Sequence, residues 1–283
     1  MSLLVVGALH WDVVVEASRL PKLDETLKGR DVRYKCGGKG VNQALAAAAA
    51  GAKVHFAGRI GMDDAGAAMV ETLTRAHIDL SGVQKGDGAS GMSVAIVTES
   101  GEYGAVIVSA ENLAFQASEV SFPPDCRAVL LQNEMAAGVL ESLSNLARAR
   151  GIHVIWNAAP AARRDADRIG LVDTLIVNRV EAAAILGWDT RIDDPLATLA
   201  ALAERAPGQD IVLTLGAKGV AFAGPIDPPQ HQQARSVETG SAHGAGDAFA
   251  GTFAACRVAG LSLDIAVDRG QAAAAAHVAR QSP

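Results

Sequence analysis

The 283-residue chain contains few aromatic residues, few cysteines and no excess of positive charge. Aromatic residues make up 4% of it and the formal net charge is −6. It therefore has neither the stacked rings nor the basic surface that nucleic acids and anionic membranes attract. We expect no nucleic-acid partner and no membrane partner. If the ligand is an anion, local groups must hold it.

The three cysteines, Cys36, Cys126 and Cys256, stand far apart and have no CxxC spacing. This pattern predicts neither a disulfide framework nor a zinc site, and it fits a reducing cytoplasm. The chain starts directly with the apolar run Leu3–Val6, without the basic start and longer apolar stretch of a secretory signal. No charge-free apolar run reaches the roughly 18 residues that a membrane-spanning helix needs. We therefore expect a cytoplasmic protein.

Short β-branched runs alternate with alanine-rich helical stretches along the chain. Six of these runs predict buried strands. They are Leu3–Val6, Val54–Ala57, Ala128–Leu131, Val154–Trp156, Thr174–Val177 and Ile211–Leu215. The alternation predicts an α/β fold with a doubly wound, mostly parallel sheet. Because neither a linker nor an internal repeat interrupts it, we expect a single domain over 1–283.

Two stretches, at about 11–36 and 91–110, break this alternation. The first contains the alternating residues Asp12-Val13-Val14-Val15-Glu16, and the second predicts a hairpin with a polar turn at Gly101-Glu102. Together they predict a small antiparallel sheet that lies over one edge of the main sheet as a lid. Pairing two lids would protect the exposed strand edges, so we expect a homodimer through the lid.

Polar residues follow several of the predicted strands. In an open parallel sheet, ligands bind beyond the carboxyl ends of the strands. The residues at these positions are Gln132, Glu134, Asn157, Asn178, Glu181 and Gly216. They predict a polar rim, although each of them taken alone can equally be an ordinary loop residue.

The glycine-rich tetrapeptide Gly244-Ala245-Gly246-Asp247 precedes an apolar helix predicted at Ala248–Ala259. Small residues let the first N–H groups of a helix approach an anion closely, and the helix dipole adds attraction. Asp247 would stand beside this anion hole, where it can accept the proton of a substrate hydroxyl. The tetrapeptide alone leaves a second interpretation open, in which Asp247 only caps the helix.

A second glycine-dense helix start, Cys36–Gln43, enters an alanine-rich helix that Gly51 ends. Its glycines leave room for a polyhydroxylated ligand, and Lys39 and Asn42 add a cation and an amide. Neither glycine run matches G-x-G-x-x-G after a strand, and the chain has no G-x-x-x-x-G-K-[ST]. The dinucleotide and Walker interpretations are therefore weak. The two helix starts predict two polar or anionic ligands.

These motifs, taken in order, resemble those of the ribokinase (PfkB-type) family of sugar kinases. The matching segments are Gly37–Ala44, Gly58–Gly66, Asn157–Pro160, Asn178–Glu181, Thr214–Gly219 and Gly244–Gly251. The resemblance covers nearly the whole chain. It implies the family's three-layer fold and an ATP-dependent transfer of phosphate to a hydroxyl of a small sugar, ribose-like or another furanose.

The resemblance also implies a role for each matching position. Asp247 looks like the catalytic base, and the backbone of Gly244, Ala245 and Gly246 looks like the phosphoryl anion hole. The positions similar to sugar contacts are Asp12, His10, Gly38, Lys39, Asn42 and Glu134. Those similar to nucleotide contacts are Asn178, Thr214, Gly216, Gly219, Gly244 and Gly246. Asn178 and Glu181 resemble the pair that organises Mg²⁺.

Three features depart from the family's pattern. His10 stands where ribokinase has asparagine, which argues against ribose specificity, and with Trp11 it offers a stacking surface that favours a nucleoside or modified-nucleoside kinase as the alternative. Ser241 replaces an aspartate that helps to bind an activating K⁺. We therefore expect weak or absent activation when the rate is measured against KCl at fixed ionic strength.

The third departure is the end of the chain at Pro283, where family members usually continue. This shorter end predicts either a nucleotide site that is more open or a nucleotide site that another chain covers. Together with the altered cation loop it leaves an alternative of another class, a sugar- and nucleotide-binding protein that has lost turnover.

Overall fold

The computed structural model describes residues 1–98, 103–189, 194–205, 207–225, 228–237 and 242–280, which contain thirteen strands and seven α-helices. The strands are β1 Ser2–Val6, β2 His10–Ala17, β3 Asp31–Gly37, β4 Lys53–Gly61, β5 Asp79–Gly86, β6 Met92–Thr98, β7 Tyr103–Val108, β8 Cys126–Gln132, β9 His153–Asn157, β10 Thr174–Asn178, β11 Asp210–Thr214, β12 Val220–Ala223 and β13 Gln230–Gln232. The helices are α1 Lys39–Ala49, α2 Asp64–Arg75, α3 Val139–Arg148, α4 Arg179–Leu186, α5 Pro195–Arg205, α6 Ala245–Val258 and α7 Leu263–Arg280.

In the described part of the chain, nine strands form the main sheet in the order β13-β12-β11-β10-β9-β8-β1-β4-β5. From β11 to β5 all neighbours run parallel, and the antiparallel strands β12 and β13 complete one edge. This arrangement confirms the predicted α/β fold. All six predicted strands lie in the sheet, and β11 ends at Thr214, one residue before the predicted end.

Helices cover both faces of the main sheet and bury it. One apolar core packs α3, α4 and α5 around Trp156, and the other packs α1, α2, α6 and α7 around Phe56 and Phe253. Because both faces are buried, the strands are continuous apolar runs rather than alternating ones. None of the helices in the described ranges is long and apolar enough to cross a bilayer.

A second, smaller sheet contains four strands of the described chain in the order β3-β2-β6-β7. β2–β3 and β6–β7 are antiparallel pairs, as expected, but β2 and β6 pair in parallel. The reason is that β2 follows β1 and β6 follows β5, and β1 and β5 point in the same direction in the main sheet. The turn predicted at 101–102 lies outside the described residues.

Successive side chains of β2 point to opposite faces of this small sheet. We call the face that carries Asp12 the inner face and the face that carries Trp11 the outer face. The strand register places Lys35 of β3 and Ser93 of β6 beside Asp12 on the inner face. Tyr34 and Val94 share the outer face with Trp11.

Candidate functional site

The strand order of the main sheet reverses at β1, because the chain adds β4 and β5 on one side and β8 to β11 on the other. In parallel sheets the crevice outside such a point binds ligands. Two hydrogen bonds show which elements meet there. The backbone N–H of Lys39 donates to Oε2 of Glu134 at 2.7 Å, and Nδ2 of Asn42 donates to Oδ2 of Asp247 at 3.3 Å. The starts of α1 and α6 and the segment after β8 therefore converge.

Asp247 lies in the first turn of α6 with 6% of its surface exposed. Its Oδ1 accepts a hydrogen bond from Nε2 of Gln43 at 2.9 Å. Gly244, three residues earlier, occupies the cap position of α6, and the carboxylate of Asp247 contacts α1 rather than its own helix end. The interpretation of Asp247 as a simple helix cap is therefore not supported.

Close packing of α1 and α6 brings Asp247 to Gln43. A Cβ atom at Gly251, one turn beyond Asp247, would lie 2.2 Å from the carbonyl oxygen of Gln43. Real Cβ atoms do not approach backbone this closely, so only glycine permits the observed separation of the helices. The backbone of one helix thus touches the backbone of the other at the base of the site.

The N-terminus of α6 is open. Gly244 has φ 81°, a left-handed conformation that favours glycine. In the part of the chain that the structure describes, no side chain caps this helix, and a Cβ atom at Gly246 would meet nothing within 4 Å. The N–H of Ala245 donates to the carbonyl of Ala242 at 3.1 Å, so an anion would first meet the N–H groups that follow it in this turn, those of Gly246 and Asp247. Ser241, whose replacement of aspartate led us to expect weak K⁺ activation, lies outside the described residues, so that expectation stays a prediction.

The charged groups of the site influence one another. Burial raises the pKa of Glu134; the hydrogen bond and charge of Lys39 oppose the rise, and the negative charges of Asp247 and Asp12 add to it. Burial also raises the pKa of Glu181. The charge of Lys39 opposes this rise, and the negative charge of Asp247 adds to it. The five charged side chains, Asp12, Lys39, Glu134, Glu181 and Asp247, therefore lie near enough to influence one another electrostatically.

Asp12 and His10 lie on the inner face of the small sheet. The hydroxyl of Ser93 donates to Oδ1 of Asp12, and Nζ of Lys35 lies 4.0 Å from Oδ2. His10 is 3% exposed, and its buried Nε2 has no hydrogen-bond partner among the described residues. Burial lowers the pKa of His10, although the charge of Asp12 acts in the opposite direction. A neutral imidazole with an unused nitrogen can bind a hydroxyl.

Trp11 points away from Asp12, to the outer face. There its ring stacks on Tyr34, with 6.3 Å between the ring centroids and 16° between the planes. It also packs against the core that contains α1 and α2. The stacking surface that Trp11 seemed to offer therefore does not face the pocket.

Four of the six predicted nucleotide contacts lie at or just after the carboxyl ends of β10 and β11, and the other two, Gly244 and Gly246, lie at the start of α6. Asn178 and Glu181 cap α4 reciprocally: the N–H of Glu181 donates to Oδ1 of Asn178 at 2.9 Å, and the N–H of Asn178 donates to Oε2 of Glu181 at 2.8 Å. Thr214 is the register partner of Asn178. Gly216 and Gly219 shape the turn that follows, with φ 61° and 93°.

At the other helix start, Gly38 is the cap residue of α1 with φ 89°, and a Cβ atom there would lie 2.6 Å from the carbonyl oxygen of Ala8. This contact holds the start of α1 directly against the segment that connects β1 to β2. Lys39, Asn42 and Glu134 are thereby brought beside Asp12 and His10.

Gln43 is the residue that sequence reasoning missed. It is fully buried, its Nε2 donates to both Asp247 and Asn157, and its Oε1 accepts from Nε2 of Gln132 at 2.8 Å. The available signal was its position beside Asn42 within the motif Gly37–Ala44. An uncharged amide in an alanine-rich helix gave no reason to single it out.

Known proteins are similar to this chain along nearly its whole length. The sequence profile described as pfkB family carbohydrate kinase matches residues 1–283. The chain is 30% identical to ribokinase of Haemophilus influenzae, covering 99% of this chain and 93% of that protein, and 33% identical to ribokinase of Mus musculus, covering 89% and 80%. The structure of Arabidopsis thaliana ribokinase complexed with ribose and ATP matches with a TM-score of 0.87 and 26% identity, covering 98% and 92%.

Proposed function

Because the chain belongs to the pfkB family of carbohydrate kinases and is a phosphotransferase with a hydroxyl acceptor, we propose that it phosphorylates a furanose from ATP with Asp247 as general base. The observation that carries this proposal is the buried carboxylate of Asp247, held by two side chains of α1 beside the open N-terminus of α6. The Arabidopsis thaliana relative, whose structure contains ribose and ATP, supports both substrates.

In the proposed reaction, a sugar hydroxyl oxygen attacks the γ-phosphorus of ATP. The bond from this phosphorus to the bridging oxygen breaks, ADP leaves, and the hydroxyl proton passes to Oδ2 of Asp247. Oδ2 suits this role because its hydrogen bond from Asn42 is long, at 3.3 Å, so that a hydroxyl can replace it. We assign stabilisation of the transferring phosphoryl group to the N–H groups of Gly244, Ala245 and Gly246, of which that of Ala245 would have to leave its hydrogen bond to Ala242.

The sugar would lie between the inner face and the start of α1. We assign its hydroxyl contacts to the residues that the pocket brings together, namely His10, Asp12, Gly38, Lys39, Asn42 and Glu134. A furanose fits these contacts better than a nucleoside does, because Trp11 faces away and the inner-face partners of Asp12 are the polar Ser93 and Lys35.

The nucleotide would lie along Asn178, Thr214, Gly216 and Gly219. Among the described residues no group of three or more His, Cys, Asp or Glu side chains is arranged to hold a metal. Glu181 uses Oε2 for capping α4 and would, together with Asn178, hold Mg²⁺ of the kind that arrives with phosphates and keeps several waters. When bound, Mg²⁺ would neutralise negative charge on the phosphates.

A substrate panel tests the proposed function. Ribose, deoxyribose, fructose and nucleosides are incubated with MgATP, ADP release is measured, and each product is identified by mass. We expect a sugar monophosphate and faster turnover with a free furanose than with any nucleoside. A nucleoside monophosphate as the main product would identify a nucleoside kinase. Thermal stabilisation by sugars without any product would identify a binding protein instead.

We further propose that the chain acts as one kinase domain and that its small sheet is a lid through which two copies pair. The outer face is apolar yet open: Val32, Tyr34, Val94, Val106 and Val108 are 45%, 60%, 42%, 67% and 57% exposed. A contiguous apolar patch on a single copy favours cover by another surface. A second lid, apolar on the same face, supplies it.

Light scattering after size exclusion tests the pairing. We expect the mass of a dimer for the unmodified chain and of a monomer for Val106→Asp, because a carboxylate would be buried in the apolar interface. The matched control is Ile107→Asp, which changes the next, equally exposed residue of β7 on the inner face and should leave the dimer intact. A monomeric unmodified chain would contradict the proposal.

A further inference from the structure

We propose that a chain of buried amides, from Gln132 through Gln43 to Asp247, positions the catalytic carboxylate by fixing which end of the Gln43 amide faces it. This inference rests on the proposed function, because it concerns the orientation of the proposed base. Gln43 and Gln132 are positioning residues, since they would act through Asp247 rather than on the sugar or ATP.

The orientation of each amide follows from groups whose hydrogen-bonding roles are fixed. An ionised carboxylate only accepts, so the group of Gln43 that faces Oδ1 of Asp247 at 2.9 Å is the donor Nε2. The second hydrogen of this nitrogen goes to Oδ1 of Asn157, also at 2.9 Å. Asn157 is oriented independently, because its Nδ2 donates to the backbone carbonyl of Ile176 at 3.2 Å.

With its nitrogen committed to two acceptors, Gln43 must present its Oε1 on the other side. There it accepts from Nε2 of Gln132 at 2.8 Å. Gln132 thus supports the one orientation of Gln43 in which Asp247 receives a donor. In the reversed orientation an amide oxygen would face the carboxylate, and the two would repel.

Because these side chains are buried, the hydrogen bonds between them depend on each one keeping its donor or acceptor. Gln43, Gln132, Asn157 and Asp247 are 0%, 4%, 7% and 6% exposed, so water does not readily replace a lost partner. Oε1 of Gln132 is buried without a hydrogen-bond partner in the described ranges. The side chain of Gln132 therefore makes its hydrogen bond only through the nitrogen that faces Gln43.

The backbone leaves room for this side chain at Gly7. A Cβ atom on Gly7 would lie 2.1 Å from Oε1 of Gln132. The fold thus leaves space for the Gln132 amide, although its oxygen is buried without a hydrogen bond in the described part of the chain. An apolar side chain would avoid the free-energy cost of burying that oxygen. A positioning role accounts for a polar residue here, because only a donor at this point supports the orientation of Gln43.

For Asp247 the result is a carboxylate whose two oxygens are distinct. Oδ1 is held by the buried amide, and Oδ2 is left for Asn42 and the substrate hydroxyl. Catalytic groups require this kind of control, because a displacement of about 1 Å can reduce the rate by about 100-fold.

Two replacements of Gln132 that are similar in size test the inference without touching Asp247. Burial and the charge of Asp247 raise the pKa of the carboxyl group in Gln132→Glu, so kcat is measured at a pH high enough to ionise it. The ionised carboxylate can only accept, so Gln43 turns its nitrogen towards it and presents its oxygen to Asp247. We expect kcat to fall about 10- to 100-fold, with KM for sugar and ATP changed less than about 3-fold. In Gln132→Met, Gln43 keeps both of its acceptors but loses the donor that supports its orientation. We therefore expect kcat to fall by about 3- to 10-fold, less than in Gln132→Glu.

The pH dependence separates positioning from a loss of packing. As the pH falls, the new carboxyl group in Gln132→Glu gains a proton and can again donate to Gln43. The kcat ratio of Gln132→Glu to the unmodified enzyme should therefore rise as the pH is lowered, while the ratio for Gln132→Met stays flat. If Gln132→Glu does not fold, Gln43→Met replaces it and should lower kcat about 10-fold or more at an unchanged KM.

Asp247→Asn in the same assay keeps the two hypotheses apart. If Asp247→Asn retains full turnover, the proposed base is wrong. If Asp247→Asn is inactive but Gln132→Glu and Gln132→Met have equal kcat at every pH, the amide chain has no positioning role.

Discussion

Replacing Asp247 with asparagine lowers kcat by about 1,000-fold, within the 10² to 10⁴ range for loss of a general base, while the sugar still binds. Asparagine keeps an oxygen that can accept from Gln43 and has nearly the same shape, so the pocket is preserved. What it lacks is the capacity to take a proton from the hydroxyl as the bond to phosphorus forms.

The measurement is kcat from ADP release, combined with sugar binding by calorimetry or thermal shift. A matched control is Asp268→Asn, which removes a carboxylate at the surface of α7 that pairs with Arg235 at 2.6 Å. Exposed ion pairs contribute little, so this variant should retain the kcat and stability of the unmodified chain. Equal turnover in Asp247→Asn and the control would rule out Asp247 as the base.

Adding one methyl group at Gly251 should separate α6 from α1 and lower the free energy of unfolding by about 3 kcal/mol. In Gly251→Ala the new Cβ would lie 2.2 Å from the carbonyl oxygen of Gln43 and 3.0 Å from the backbone nitrogen of Ala47. Backbone atoms cannot rotate aside as side chains can, so the helices must move. Because that movement carries Asp247 away from Gln43, kcat should fall together with stability.

Urea denaturation and kcat measure the two effects in the same protein. Gly170→Ala is the control, because a Cβ atom at Gly170 would meet nothing within 4 Å. It should change the free energy of unfolding by less than about 0.5 kcal/mol. If Gly251→Ala matched this control in both measurements, the close contact of the two helices would not govern the site.

The buried strands of the main sheet could be predicted because their apolar runs carry the signal of burial on both faces. β5 could not be predicted in this way, because Asp79–Gly86 is polar and contains two glycines. It forms a strand through its pairing with β4. Propensity gives no sign of such an edge strand. The parallel pairing of β2 and β6 could not be predicted either. It depends on the positions of β1 and β5 in the main sheet, and these are known only once the fold is assembled.

The positions of Asp247 and Glu181 in the first turns of helices were predictable from their motifs, and the roles assigned to them stay proposals. The outward direction of Trp11 was also available in principle, because neighbouring residues of a strand face opposite sides and Asp12 was already assigned to the pocket. The hydrogen bond between Gln43 and Asp247 was not predictable from the sequence. It depends on a backbone contact at Gly251 between two helices that are far apart in the sequence.

The parallel pairing of β2 and β6 also determines how the small sheet can move. It is attached to the main sheet after β1 and after β5, which β4 separates, so the two attachment points lie about 10 Å apart. The chain also leaves the small sheet at two points, from β3 into α1 and from β7 towards Ala110, so four connections hold this sheet to the rest of the protein. Because β2 and β6 pair directly, with Asp12 opposite Ser93, any movement of the small sheet would carry these two side chains together relative to a sugar in the proposed site.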